Sequence, residues 1–215
     1  MFTLIKREIE DAIVFFLITA IFMAILVSIL VYKVAIGGEG NQIIGVPSVM
    51  YKTFGTFPFI FLPLIAAALG GSQMYLDRNK KISSFLATLA TTRRQILSAK
   101  IITGILWILL TVLPIAVADV VLLKVFPLAM VPDAGFLVRL FVTIFLCGLA
   151  CYSFGLLIGW RSEKLLPALG IILATPILVS LIVIKGFGLQ TIIFFVLFTS
   201  AAIIRTWQKF MSSPL

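Results

Sequence analysis

Long apolar runs separated by short polar segments dominate the chain. A helix needs roughly 20 apolar residues to cross about 30 Å of hydrocarbon. Six runs meet or approach that length, and we predict that each is a transmembrane helix. The predicted spans are residues 12–32, 57–76, 101–123, 136–160, 165–184 and 189–204.

The last two predicted spans are separated only by the four residues 185–188. The sixth run has just 16 residues, which is short for a full crossing. A re-entrant hairpin over residues 165–204 is therefore an alternative to two complete spans.

The first eleven residues have an amphipathic pattern. Phe2, Ile5 and Ile9 fall on one side of a helix, and the charged residues of the segment fall elsewhere. This pattern predicts a short helix lying in the inner membrane interface before the first span. A frayed terminus is the alternative. Charged residues that fall elsewhere include Lys6, Glu8, Glu10 and Asp11.

Residues 77–100, between the second and third predicted spans, form the one substantial loop that we predict on the cytoplasmic side. Within it, Ile82, Phe85, Leu86 and Leu89 recur at i, i+3, i+4 and i+7, so they predict one apolar stripe on a short helix. Asp77 or Asn79 can cap the start of that helix. Thr91 and Thr92 then break the pattern, and either can cap a following helix that leads into the third span.

An exposed apolar stripe on a short cytoplasmic helix requires a covering surface. The bilayer interface, the ends of neighbouring spans and the groove of a partner protein would each serve. Periodicity alone does not choose among them.

Composition agrees with a membrane protein. Apolar residues make up 62% of the chain and charged residues 12%, and the mean hydropathy is +1.23. A soluble domain has roughly 45–50% apolar and about 25% charged residues. We therefore predict an all-α, polytopic helix bundle in which residues 1–215 form a single transmembrane domain.

The net charge of +9 is explained by the membrane topology and does not require a nucleic-acid partner. With both termini in the cytoplasm, twelve of the 17 Lys and Arg residues fall on the cytoplasmic side and five outside. This bias in short loops follows the positive-inside rule. It predicts a multi-pass protein of the plasma or inner membrane with cytoplasmic termini.

Side chains that carry catalytic or metal chemistry are scarce. The chain has no His, and its eight acidic residues are scattered, so we predict neither catalytic residues nor a metal site. Cys147 and Cys151 lie four residues apart in an apolar run, which favours buried small side chains over a disulfide or a metal site. A membrane-embedded enzyme is the less favoured alternative.

Two residues of the third predicted span are candidates for a pathway or gate. Asp119 is the only acid well inside a span, and such groups usually face a cavity or a partner. Its position five residues before Lys124 allows an interfacial role equally well. Pro114 removes a backbone donor within the span, which either opens a pathway or is simply tolerated, as prolines commonly are in membrane helices.

Gly155 and Gly159 form a small-xxx-small pair in the fourth predicted span. Such a pair permits close helix packing. We expect packing within the subunit, with a dimer seam as the alternative.

The cytoplasmic loop resembles that of the membrane subunits of type-2 ATP-binding-cassette exporters. In that family an acidic residue follows the second span, and a short x-x-Leu-x-x-Leu helix, a Pro-[Val/Leu]-[Ser/Thr]-Arg turn and an Ile-Leu-x-x-Lys run come next. Ala90 stands where proline is common, and Lys80 and Lys81 stand where small residues are usual. By size and layout the chain is most similar to the haem-exporter B-subunit branch. The matching residues are Asp77, Phe85, Leu86, Leu89, Thr92, Arg93, Ile96, Leu97 and Lys100.

The resemblance implies a permease subunit and a division of labour. The short helix would be a coupling helix that docks on an ATPase, and no G-x-x-x-x-G-K-[ST] occurs in this chain. ATP and Mg would therefore be bound by a separate ATPase subunit, and a second permease copy, identical or related, would complete the pathway. The apolar bundle with few interior charges favours a lipid-like or amphipathic substrate, but export of an ion or a peptide would leave a similar sequence. A scaffold subunit without a pathway is the main alternative. The implied docking residues are Ile82, Phe85, Leu86, Leu89 and Arg93.

Overall fold

The structure, a computed structural model, is helical in almost every residue it describes, and none of these residues lies in a strand. The predicted all-α class is therefore confirmed for that part of the chain. The described residues are 2–11, 13–21, 24–25, 28, 61–76, 92–125, 134–161, 175–180, 182, 185–186 and 188–212.

Five helices make up most of the described chain, and residues 13–21 and 175–180 are also helical. Within the described residues, three helices are long and apolar enough to cross a membrane, over Arg93–Val117, Val138–Gly159 and Leu189–Ser212. They coincide with the third, fourth and sixth predicted spans and indicate a membrane protein; the total of six stays a prediction. The five helices are α1 (Phe2–Asp11), α2 (Phe61–Leu76), α3 (Arg93–Val125), α4 (Ala134–Arg161) and α5 (Leu189–Ser212).

Helix α3 begins where the threonine pattern predicts. The Gln95 backbone N–H lies 3.4 Å from Thr92 Oγ1, and the Thr92 N–H donates to Gln95 Oε1 at 3.2 Å. This reciprocal arrangement is a capping box, which satisfies donors that the first turn leaves open. The helix therefore starts eight residues before the apolar run that predicted the span, and it continues through Pro114.

Helix α5 is longer than its apolar run predicts. The predicted sixth span ends at residue 204, but the helix continues to Ser212 and has 24 residues. The apolar run counts apolar residues only, whereas the polar residues after 204 propagate a helix equally well, so the helix extends beyond the predicted span. At the other end, Gly186 has φ 70° and its N–H donates to the Ile182 carbonyl at 2.8 Å, so it terminates the preceding helical turn.

The glycines of α4 pack against α2. A Cβ at Gly155 would collide with the Ala67 carbonyl oxygen, and one at Gly159 would lie 2.5 Å from the Gly71 carbonyl oxygen. The predicted packing within the subunit is therefore confirmed for this pair. Successive contacts, 67 with 155 and 71 with 159, show that α2 and α4 run parallel.

Helix α3 runs antiparallel to α4. A Cβ at Gly104 would meet the Tyr152 ring, and one at Gly148 would lie 3.4 Å from Ile108 Cγ2. Parallel α2 and α4 with an antiparallel α3 is the alternation that three consecutive spans require. Helix α5 packs on both α3 and α4, and α1 packs on α3.

The outer faces of the long helices are apolar. Five large residues of α3 recur along one side with 44–57% of their surface exposed. A soluble protein rarely exposes so continuous a stripe, whereas lipid or a neighbouring membrane helix covers it without cost. The five residues are Leu106, Leu109, Leu110, Leu113 and Val117.

Candidate functional site

Four of the five predicted docking residues, Ile82, Phe85, Leu86 and Leu89, lie outside the described residues, and their role stays a prediction. Arg93 is described. It is the first residue of α3, is partly buried, and its Nη1 donates to the Met211 carbonyl at 3.3 Å. Because Met211 lies in the last turn of α5, this bond ties the beginning of α3 to the end of α5 within one chain, and it places a cation at a helix C-terminus.

The two pathway candidates both belong to α3. Pro114 is exposed on the surface of that helix and does not interrupt it. Asp119 belongs to helix α3, but its side chain is outside the described part of the structure. Both roles stay predictions.

The most distinctive polar feature of the described bundle is an ion pair between α1 and α3. Lys100 Nζ donates to both carboxylate oxygens of Glu8, at 2.9 Å and 3.0 Å. The two side chains are 2% and 11% exposed. These residues are 92 positions apart in the sequence, so the pair fixes the terminal helix to the bundle.

A second pair on α1 provides a contrast. Lys6 and Glu10 approach only to 4.0 Å, and their side chains are 79% and 64% exposed. Exposed pairs of this kind contribute little, about 0–1 kcal/mol. Removing one partner of a buried pair generally costs more, about 3–5 kcal/mol, because a buried charge then loses a counter-charge.

Tyr152 of α4 extends this cluster. Its hydroxyl lies 2.7 Å from the Lys100 carbonyl oxygen and 2.7 Å from Gln73 Oε1, and all three residues are buried. One hydroxyl proton serves one acceptor at a time, and Gln73 Nε2 has no partner among the described residues. Rotating the Gln73 side-chain amide by 180° exchanges its oxygen and nitrogen. In that orientation Gln73 Nε2 donates to the Tyr152 phenol oxygen, and the Tyr152 hydroxyl donates to the Lys100 carbonyl oxygen.

The polar cluster, defined as Glu8, Gln73, Lys100 and Tyr152, therefore joins four helices. Glu8 comes from α1, Gln73 from α2, Lys100 from α3 and Tyr152 from α4. Hydrogen-bonded polar groups in an apolar bundle impose one relative position on the helices that carry them. The cluster lies at the end of the bundle where α3 begins.

Sequence reasoning missed this cluster. It placed Glu8 among the charged residues away from the apolar side of α1, whereas Glu8 is only 9% exposed. It placed Lys100 in the cytoplasmic loop and did not single out Tyr152 or Gln73. An acid on a short amphipathic helix and a lysine at the edge of a span were the available signals, but nothing local shows that they pair.

Cys147 and Cys151 are both buried free thiols, in agreement with the prediction that they are buried small residues. Among the described residues, no group of three or more His, Cys, Asp or Glu side chains comes together in a way that could hold a metal ion.

The chemistry of the cluster suits mechanical connection of helices. Lysine, carboxylate, phenol and amide groups hold four helices together through one ion pair and two hydrogen bonds.

Comparison with protein-family models, with curated proteins and with solved structures finds no match to the chain.

Proposed function

We propose that the chain is the permease subunit of an ATP-driven exporter. Two copies, or this chain and a related one, form the pathway, and a separate ATPase subunit binds ATP and Mg. The observation that carries the proposal is the loop pattern, in which an apolar stripe over residues 82–89 leads into the Arg93-x-x-Ile96-Leu97-x-x-Lys100 run.

The positions of that run support the proposal. Ile96 and Leu97 are 1% and 0% exposed, and Lys100 is bound to Glu8 and Tyr152. Arg93 contacts the end of α5. A helix anchored in this way transmits a displacement of its first turn to its neighbours, because tightly packed interiors do not deform continuously.

In the proposed mechanism, ATP-driven closure of the ATPases displaces the 82–89 helix. The displacement tilts the first and second spans against those of the partner permease, and the central cavity changes from inward-facing to outward-facing. The apolar bundle favours a lipid-like or amphipathic substrate.

The test is a charge placed on the apolar stripe. Leu86→Asp or Phe85→Asp should abolish binding and stimulation of the ATPase without unfolding the bundle, because a carboxylate in an apolar docking groove carries a large desolvation cost. Ser84→Asp is the matched control, since residue 84 lies on the opposite side of the predicted helix. The measurements are co-purification of the ATPase with the tagged chain, its ATP turnover, and thermal unfolding of the bundle.

Two results would count against the proposal. If Leu86→Asp retains full co-purification and ATPase stimulation, the stripe is not the docking surface. If the wild-type chain brings down no ATPase, the chain is better described as a scaffold subunit.

A further inference from the structure

The buried ion pair differs from the exposed ion pair of α1 in the distance that it spans along the chain. Lys6 and Glu10 pair within α1 and are exposed, whereas Glu8 reaches α3 and is buried. The packing of α1 on α3 therefore includes one strong directional interaction. Separating its two charges would remove a counter-charge from each of two buried groups, which is costly.

Lys100 is also close to the place where movement would enter the bundle. It lies seven residues after Arg93, which is about two helical turns from the start of α3. The capping box at Thr92 and Gln95 keeps this first part of the helix intact. Because the first turn is capped and remains helical, a displacement of the beginning of α3 is transmitted along the helix to Lys100.

We propose that the Glu8–Lys100 ion pair is the link that makes α1 move together with the beginning of α3. Through α1 the movement reaches the first predicted span, whose described helical residues 13–21 begin two positions after the end of α1. This role rests on the proposed function, because the ATPase supplies the movement. Tyr152 contacts the backbone of Lys100, whereas the ammonium group of Lys100 contacts Glu8 of α1.

The experiment measures distances between spin labels in the complex of the chain with its co-purified ATPase, reconstituted in lipid nanodiscs. One label pair, Lys6→Cys with Arg94→Cys, reports α1 against the beginning of α3, and both positions are exposed. A second pair, Lys6→Cys with Leu189→Cys, reports α1 against the exposed end of α5 that is remote from the Arg93–Met211 contact. Each pair is measured without nucleotide and after trapping with ATP and vanadate. The native thiols are buried, and the parent chain without introduced cysteines gives their background labelling.

With the ion pair intact, the distance between residues 6 and 94 should be the same in both states. The distance between residues 6 and 189 should shift on trapping, because residue 189 lies at the end of α5 opposite the Arg93–Met211 contact. Glu8→Gln should make the 6–94 distance change with nucleotide, because α1 then no longer follows α3. Glu10→Gln, which removes an exposed carboxylate from the same helix, is the matched control and should behave as the parent. The exchanged variant Glu8→Lys with Lys100→Glu should restore the constant 6–94 distance.

Glu8→Gln leaves Lys100 without this counter-charge, so that variant could fail to fold. The double variant Glu8→Met with Lys100→Met removes both charges and avoids an uncompensated one. It should show the same nucleotide-dependent change in the 6–94 distance.

The inference is overturned if the 6–94 distance changes on trapping in the intact chain, or if it stays constant in both Glu8→Gln and the double methionine variant. In either case the ATPase is still bound and active, which separates this failure from failure of the proposed function. Absence of any ATPase from the purified wild-type chain overturns both.

Discussion

Substitution of Gly159 by alanine tests the α2–α4 seam directly. The new Cβ would lie 2.5 Å from the Gly71 carbonyl oxygen and 3.0 Å from the Gly71 Cα. Ordinary van der Waals contact begins at 3.4 Å, so the methyl group is too close by about 0.9 Å. The obstructing atoms are backbone, and they cannot rotate away. The two helices must therefore separate.

We expect Gly159→Ala to destabilise the bundle by about 1–3 kcal/mol, the usual cost of overpacking a close-packed interior. Separation also weakens the dispersion contacts along the seam, which are a main source of helix association in membranes. The alanine recovers at most about 1 kcal/mol of helix propensity, and less where the unfolded reference is already helical in the membrane.

Gly148→Ala is the matched control on the same helix. Its Cβ would lie 2.9 Å from Leu62 Cδ2, which is the end of a flexible side chain, and 3.4 Å from Ile108 Cγ2. Because Leu62 can change rotamer, we expect a change in unfolding free energy of less than about 1 kcal/mol. Both variants are measured by titration with sodium dodecyl sulfate in bicelles, followed by tryptophan fluorescence, since Trp107 is fully buried. Equal stability of the two variants would refute the close backbone contact on which this reasoning depends.

Two further substitutions test local contacts. Tyr152→Phe keeps the ring beside Gly104 but removes the hydroxyl near Gln73, so we expect a loss of about 1–3 kcal/mol in the same titration; an unchanged midpoint would show that the hydroxyl contributes nothing to the polar cluster. Thr92→Ala removes the cap of α3 and should cost about 1 kcal/mol of thermal stability, whereas Thr92→Ser should preserve it. Equal melting of the alanine and serine variants would contradict the capping role.

Much of the helical layout is local, and local patterns predict it well. The third, fourth and sixth predicted spans follow from the length of their apolar runs. A long apolar run in lipid becomes helical, because unpaired backbone polar groups are costly there. The start of α3 follows from Thr92, since a side chain that satisfies a first-turn donor acts on its own neighbours. The close packing at Gly155 and Gly159 is also predicted locally, because glycine has no side chain and permits close approach of whichever helix lies opposite.

Pairing between distant residues is different, because no local pattern encodes it. Gly159 does not specify that Gly71 is its neighbour, and Glu8 resembles any charged residue on an amphipathic helix until α1 is placed on α3. Burial of Lys100 also reverses the expectation for a loop lysine, since a nearby carboxylate compensates the charge. The apolar pattern and the caps thus determine where helices lie along the chain. The polar cluster arises only when the tertiary fold brings the side chains of four helices to one place.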